Sequence, residues 1–121
     1  MINVDALYDA FALVFTFQTL MWLAIGVTIG VGVGAMPGLT ATTGVALMLP
    51  LTFTMDAAAA LGLLIGLYKG AIYGGSISAI SFATPGTSEA AATVFDGFKM
   101  MRSGKGRKAL LMALYSSVTA D

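Results

Sequence analysis

From Ala10 to Met55 the chain carries no charged side chain, and from Ala57 to Ser88 it carries only Lys69. A bilayer span needs roughly 20 consecutive apolar residues, and both stretches are long enough to supply one. Charged residues make up 10 % of the sequence and apolar residues 58 %. An ordinary soluble domain carries about 25 % charge to solvate its surface. The pattern predicts an all-α integral membrane chain. Formal net charge is zero, which gives no argument for a nucleic-acid partner. Cysteine and histidine are both absent. That removes disulfides, Cys/His zinc sites, thiol nucleophiles and Ser-His-Asp triads. The first nine residues hold Asp5 and Asp9 and no basic residue, unlike a secretory signal.

Phe11 to Val33 reads as a first membrane helix, with Gly26, Gly30 and Gly34 on one face. Small residues four apart let helix backbones approach closely in lipid. Gly34-Ala-Met-Pro37-Gly38-Leu-Thr40-Ala-Thr42-Thr43-Gly44 then interrupts the helix, because Pro lacks the N–H donor and Gly is conformationally loose. Val45 to Phe53 is apolar but too short to span, so it is expected to form a half-helix or one arm of a re-entrant hairpin. Asp56 is placed to cap the next helix, Ala57 to Gly75, where Gly62, Gly66, Gly70 and Gly74 repeat every fourth residue. Lys69 lies beside that stripe. It either snorkels to an interface or faces the protein interior as an anion contact.

A second interruption is expected from Gly74-Gly75-Ser76-Ile77-Ser78 through Thr84-Pro85-Gly86-Thr87-Ser88, with Thr87 or Ser88 capping a helix that starts near Glu89. Five of the six basic residues, Lys99, Arg102, Lys105, Arg107 and Lys108, follow within ten positions. A short basic loop beside apolar segments marks the cytoplasmic side. Ala109 to Ala120 is apolar again but covers only about 18 Å of a roughly 30 Å core. The chain is therefore expected to be a fragment, residues 1–121 forming the N-terminal part of one transmembrane permease domain cut within a helix.

Other motifs are weaker. Gly30, Gly32 and Ala35 match a dinucleotide-type spacing, but at the end of a membrane helix rather than after a strand. Gly104-Lys105 lacks the earlier glycine of a phosphate loop. A serine nucleophile has only Lys69 as a nearby base. The two Pro-Gly interruptions lie about 48 residues apart, each flanked by hydroxyl residues. Broken helices of this kind present N–H groups and the positive helix end to anions, and freed carbonyls to cations. The alternative is that Pro and Gly merely kink helices while Ser and Thr satisfy the freed backbone.

At these residues the sequence resembles a known family. Gly34 to Phe53 is similar to the first signature of the large membrane subunit of tripartite tricarboxylate transporters. Tyr73-Gly-Gly-Ser-Ile-Ser-Ala-Ile, Thr84-Pro-Gly-Thr, Ala90-Ala-Ala-Thr and Asp96-Gly-Phe resemble the second, and Arg102 to Leu110 the basic loop after it. The resemblance runs from about Gly26 to the end. It implies an inverted-repeat transporter about four times longer, with Pro-Gly broken or re-entrant segments. Activity would be ion-gradient-driven uptake of organic carboxylates, coupled to protons or sodium with no other cofactor. Partners would be a small membrane subunit, an extracytoplasmic solute-binding protein and the lipid bilayer of the bacterial inner membrane, crossed several times. Substrate or ion binding would fall to Gly38, Thr40, Thr42, Thr43, Ser76, Ser78, Thr84, Gly86 and Thr87. Family members often carry Asn where this chain has Ala83, and Pro where it has Ser88. Two further readings stand beside this one: an accessory membrane subunit that packs through its glycine faces, and an intramembrane enzyme using Ser76.

Overall fold

The computed structural model describes residues 2–120. Among them the chain is helical throughout, in the order α1 (Val4–Val14), α2 (Phe17–Ala35), α3 (Ala41–Thr52), α4 (Ala57–Phe82), α5 (Ala91–Thr93) and α6 (Gly106–Ala120). Two π-helical turns, Val94–Phe98 and Met101–Lys105, prolong α5. Helices α2 and α4 are long and apolar enough to cross a membrane. This is an all-α membrane protein architecture.

The glycine stripes meet each other. A Cβ on Gly26, Gly30 or Gly34 would strike the backbone carbonyls of Leu63, Leu67 and Ala71 in turn, and one on Gly66, Gly70 or Gly74 those of Leu23, Val27 and Val31. Both series advance along the two helices together, so α2 and α4 run parallel with their backbones in contact. Leu63, Leu67 and Ala71 are fully buried beneath this seam, while Leu61, Ile65 and Tyr68 point outward. In lipid, where apolar side chains gain little by leaving the bilayer, such close backbone packing is what holds helices together.

A parallel pair requires the chain to return between its members. Segment α3 makes that return, with Gly44 seated 3.0 Å from Leu67 and 3.1 Å from Val33 by its would-be Cβ. Twelve helical residues cover about 18 Å, and Met36–Thr40 and Phe53–Asp56 supply the rest. Pro50 is tolerated near the C-terminal end of α3. Next to it the Thr52 hydroxyl donates to the Leu49 carbonyl at 2.6 Å. Asp56 caps α4 as expected, its carboxylate accepting from the Ala58 N–H at 3.3 Å.

Three sequence expectations are corrected. The run Phe11–Val33 is not one helix but parts of two, broken at Phe15–Thr16. No Pro or Gly marks this break. At the break the Leu13 carbonyl accepts from the Thr16 N–H at 3.3 Å and from the buried Thr19 hydroxyl at 3.0 Å, so it stays satisfied where the helix ends. Helix α4 does not stop at Gly75. It continues to Phe82, and Gly74-Gly75-Ser76-Ile77-Ser78 is ordinary helix interior. There the Ser78 hydroxyl bonds back to the Gly75 carbonyl at 2.9 Å, and the glycines are used for close approach, not for bending. Finally, the helix after the second interruption begins at Ala91 and has no side-chain cap from Thr87 or Ser88.

Gly70→Val, which drives a branched side chain into the Val27 carbonyl, is expected to destabilise the fold by about 3 kcal/mol or more. Gly32→Ala, which meets nothing within 4 Å, should stay within about 0.5 kcal/mol of the parent. Thermal unfolding in a single detergent checks both; equal midpoints for the two variants would remove the seam as the main stabilising contact.

Candidate functional site

The first interruption is a tight turn. Helix α2 ends at Ala35, and the Leu39 N–H closes a turn on the Met36 carbonyl at 3.2 Å around Pro37 and Gly38. Gly38 has φ +92°, a conformation that costs an L-residue about 1–2 kcal/mol. Thr40 then caps α3, its hydroxyl accepting from the Thr43 N–H at 3.2 Å and pairing with the Thr43 hydroxyl at 2.9 Å. The Gly44 N–H goes to the Thr40 carbonyl. Among the described residues, the N–H groups of Ala41 and Thr42 at the positive end of this helix have no acceptor. Thr40, Thr42 and Thr43 are all exposed.

The second interruption folds back onto the helices it follows. Ala83 ends α4 with φ +56° and ψ 20°, and the Thr84 hydroxyl donates to the Phe82 carbonyl at 3.2 Å. Gly86 packs against the Gly34 carbonyl, with the Ser78 hydroxyl 3.0 Å and Gly75 Cα 3.1 Å from its would-be Cβ. Thr87 packs on Gly75 in the same way, its Oγ1 2.7 Å from the would-be Cβ of that glycine. Thr87 is 3 % exposed, and its hydroxyl makes no hydrogen bond. A buried polar atom without a partner costs about 1–3 kcal/mol, so such atoms call for an explanation. Glu89, at the surface of this loop, is held below the ordinary glutamate range. Its own backbone N–H is the main cause, slight desolvation opposes it, and the Ser88 hydroxyl adds to it. Thr87 also favours the anion, although its geometry falls short of a hydrogen bond. Glu89 therefore stays ionised through neutral pH.

Of the residues expected from sequence to bind substrate or ion, the fold gathers Ser78, Gly86 and Thr87 around the end of α2, where Gly34 and Gly75 join them. Gly34, at the head of the first interruption, is the point where the two interruptions touch. Thr40, Thr42 and Thr43 stand at the start of α3, beside the same end of α2. Ser76 is elsewhere. It lines a cavity of about 430 Å³ with Thr93, Asp96, Ser116 and Ser117. Lys69 lines another, of about 210 Å³, with Val27, Val31, Tyr73, Leu114 and Ser117. Twelve residues separate Lys69 from the start of α4, about 18 Å of helix. Gly75 and Gly34 carried no polar side chain to single them out; Gly34 stood out only as the last of a glycine stripe, and Gly75 only as part of the expected second interruption.

A family model described as the tripartite tricarboxylate transporter TctA family matches residues 20–121. The chain belongs to this family. A protein of Agrobacterium vitis, known as an uncharacterized 52.8 kDa protein in the TAR-I ttuC′ 3′ region, is 40 % identical over 101 residues. The match covers 84 % of this chain and 20 % of that protein, so the chain spans about a fifth of its curated relative. No solved structure matches.

Within the TctA family, the position preceding Thr-Pro-Gly gains a conformational meaning. Asn tolerates the left-handed region that Ala83 occupies. Ala83→Asn is expected to raise stability by up to about 1 kcal/mol. A melting midpoint lower than that of the parent would show that the side chain at 83 is fixed by contacts instead.

Proposed function

We propose that the chain supplies one portion of a permease subunit that carries organic carboxylates across the bacterial inner membrane, driven by an ion gradient. The observation that carries this reading is the convergence of the two Pro-Gly interruptions on one end of the α2–α4 pair. There, helix ends of opposite polarity stand side by side. The start of α3 offers the N–H groups of Ala41 and Thr42 and the hydroxyls of Thr42 and Thr43, which suit a carboxylate. The ends of α2 and α4 offer the Gly34 carbonyl and the oxygens of Ser78 and Thr87, which suit a coupling cation. Neutral oxygens without a carboxylate favour sodium over a proton at that point. The Ser78 proton is already given to Gly75, so its lone pairs remain for a cation. Thr87 would find its missing partner there.

The basic tip Lys99–Lys108 supports an orientation with the C-terminal ends of α2 and α4 toward the cytoplasm and the N-terminus outside. The chain then crosses the membrane several times, with α3 as the return. A small membrane subunit and an extracytoplasmic solute-binding protein complete the transporter. Two features argue against the other readings. Both glycine stripes are consumed inside the chain, so neither is left to dock an accessory subunit on a partner. Ser76 and Lys69 line different cavities, so a serine nucleophile there has no adjacent base.

The test is uptake of labelled citrate into proteoliposomes holding the complete transporter. Thr43→Val should raise KM for the carboxylate about tenfold with little change in sodium dependence, as one charge-assisted hydrogen bond is lost. Thr87→Val should weaken sodium activation while leaving the melting midpoint unchanged or higher, because it removes an unpaired hydroxyl. If both variants transport like the parent, the convergence is structural and the carboxylate site lies elsewhere.

A further inference from the structure

The reversal after α5 builds a second feature that transport does not require. Gly104, at φ +82°, turns the chain back on itself, and Gly106 lies against the Met101 sulfur so that the turn is tight. This brings Lys105 and Lys108 beside Lys99. Together with Asp96, Met100 and Ser103, the three lysines line one hollow of about 450 Å³. All three are exposed, and among the described residues none forms an ion pair. Arg102 is directed elsewhere, with its guanidinium over the Phe98 ring at 5.8 Å. The Ser103 hydroxyl proton is given to the Met100 carbonyl. Met100 gives the hollow an apolar wall, and Phe95 and Met101, the sequence neighbours of its lining residues Asp96 and Met100, are 81 % and 39 % exposed.

We propose that this hollow binds the headgroup of an anionic phospholipid, with phosphatidylglycerol as the fitting chemistry. The geometry meets each part of such a lipid. Three ammonium groups face one diester phosphate. The Asp96 carboxylate at the edge accepts from a headgroup hydroxyl, which a glycerol headgroup carries and choline lacks. Phe95 and Met101 offer apolar surface where the acyl chains leave. The hollow lies at the Gly104 reversal, within the basic stretch Lys99–Lys108, and short basic stretches of this kind sit at the cytoplasmic headgroup layer. Basic pockets at this depth recognise anionic headgroups, and each lysine near an anionic surface strengthens binding about fivefold. The occupant is a lipid and not a dissolved anion because the charge is flanked by exposed apolar side chains.

The full chain is placed in nanodiscs of phosphatidylcholine with a minority of phosphatidylglycerol, and the lipids retained on extraction are counted by native mass spectrometry. The parent should retain phosphatidylglycerol in preference. The triple variant Lys99→Gln/Lys105→Gln/Lys108→Gln should lose that preference by roughly a hundredfold at low salt. Lys99→Arg/Lys105→Arg/Lys108→Arg should keep it, which separates loss of charge from loss of fold. Arg107→Gln removes an equal charge outside the hollow and should cost less than Lys105→Gln. The proposal falls if the triple glutamine variant retains phosphatidylglycerol like the parent. It also falls if Arg107→Gln costs as much as Lys105→Gln, which would mean diffuse attraction only. Displacement of the lipid by millimolar inorganic phosphate would likewise overturn it in favour of a free-phosphate site.

Discussion

The contact on which the rest depends is backbone against backbone, where the glycines of α2 and α4 meet. Each stripe presses on the other helix's carbonyls, so neither helix can slide or rotate without a clash. In lipid this close fit replaces the hydrophobic driving force that water would supply. It fixes the parallel direction of the pair, and that direction fixes the role of α3. A segment too short to span becomes the return strand of a parallel pair, seated on Leu67 and Val33 through Gly44. The same seam sets the level at which α2 ends, four residues before Ser78 would be passed on α4. The loop after α4 then has a ledge to fold onto.

The proposed function rests on that ledge. Gly34 is the last glycine of one stripe and the first residue of the first interruption. The second interruption returns to it through Gly86. The chain thus uses one small residue for two purposes: packing along the helix against Ala71, and seating Gly86 of the second interruption on its carbonyl. The buried Thr87 hydroxyl beside it has no partner, a local cost that calls for an explanation. The start of α3 stands near with its own open N–H groups. Helix ends of opposite polarity standing together are the basis of the carboxylate and cation site proposed above.

Much of this was legible in sequence. The glycine periods, the Asp56 cap, the Pro37-Gly38 stop and the basic tip follow from residue types at fixed spacings. The break at Thr16 was not legible, because a hydroxyl donating six residues back leaves no signature of Pro or Gly. The continuation of α4 through Gly74-Gly75 was hidden for the opposite reason. Two adjacent glycines next to serines look like a stop, yet they are held helical by packing against α2 and the Thr87 loop. Ala83, where family members often carry Asn, forms a left-handed helix end, which the residue type does not announce.

By itself, the sequence determined that this chain is a helical membrane protein, where its helices pack closely and that Pro37-Gly38 interrupts them. These properties depend on local chemistry: charge is too costly in lipid, Pro cannot donate, and glycine alone leaves room for a neighbouring backbone. Only the tertiary structure decided that the two stripes pair with each other, that α2 and α4 run parallel, and that the two interruptions meet at Gly34. Those depend on register between distant segments, and no residue records in its own neighbourhood which partner will fill the space beside it.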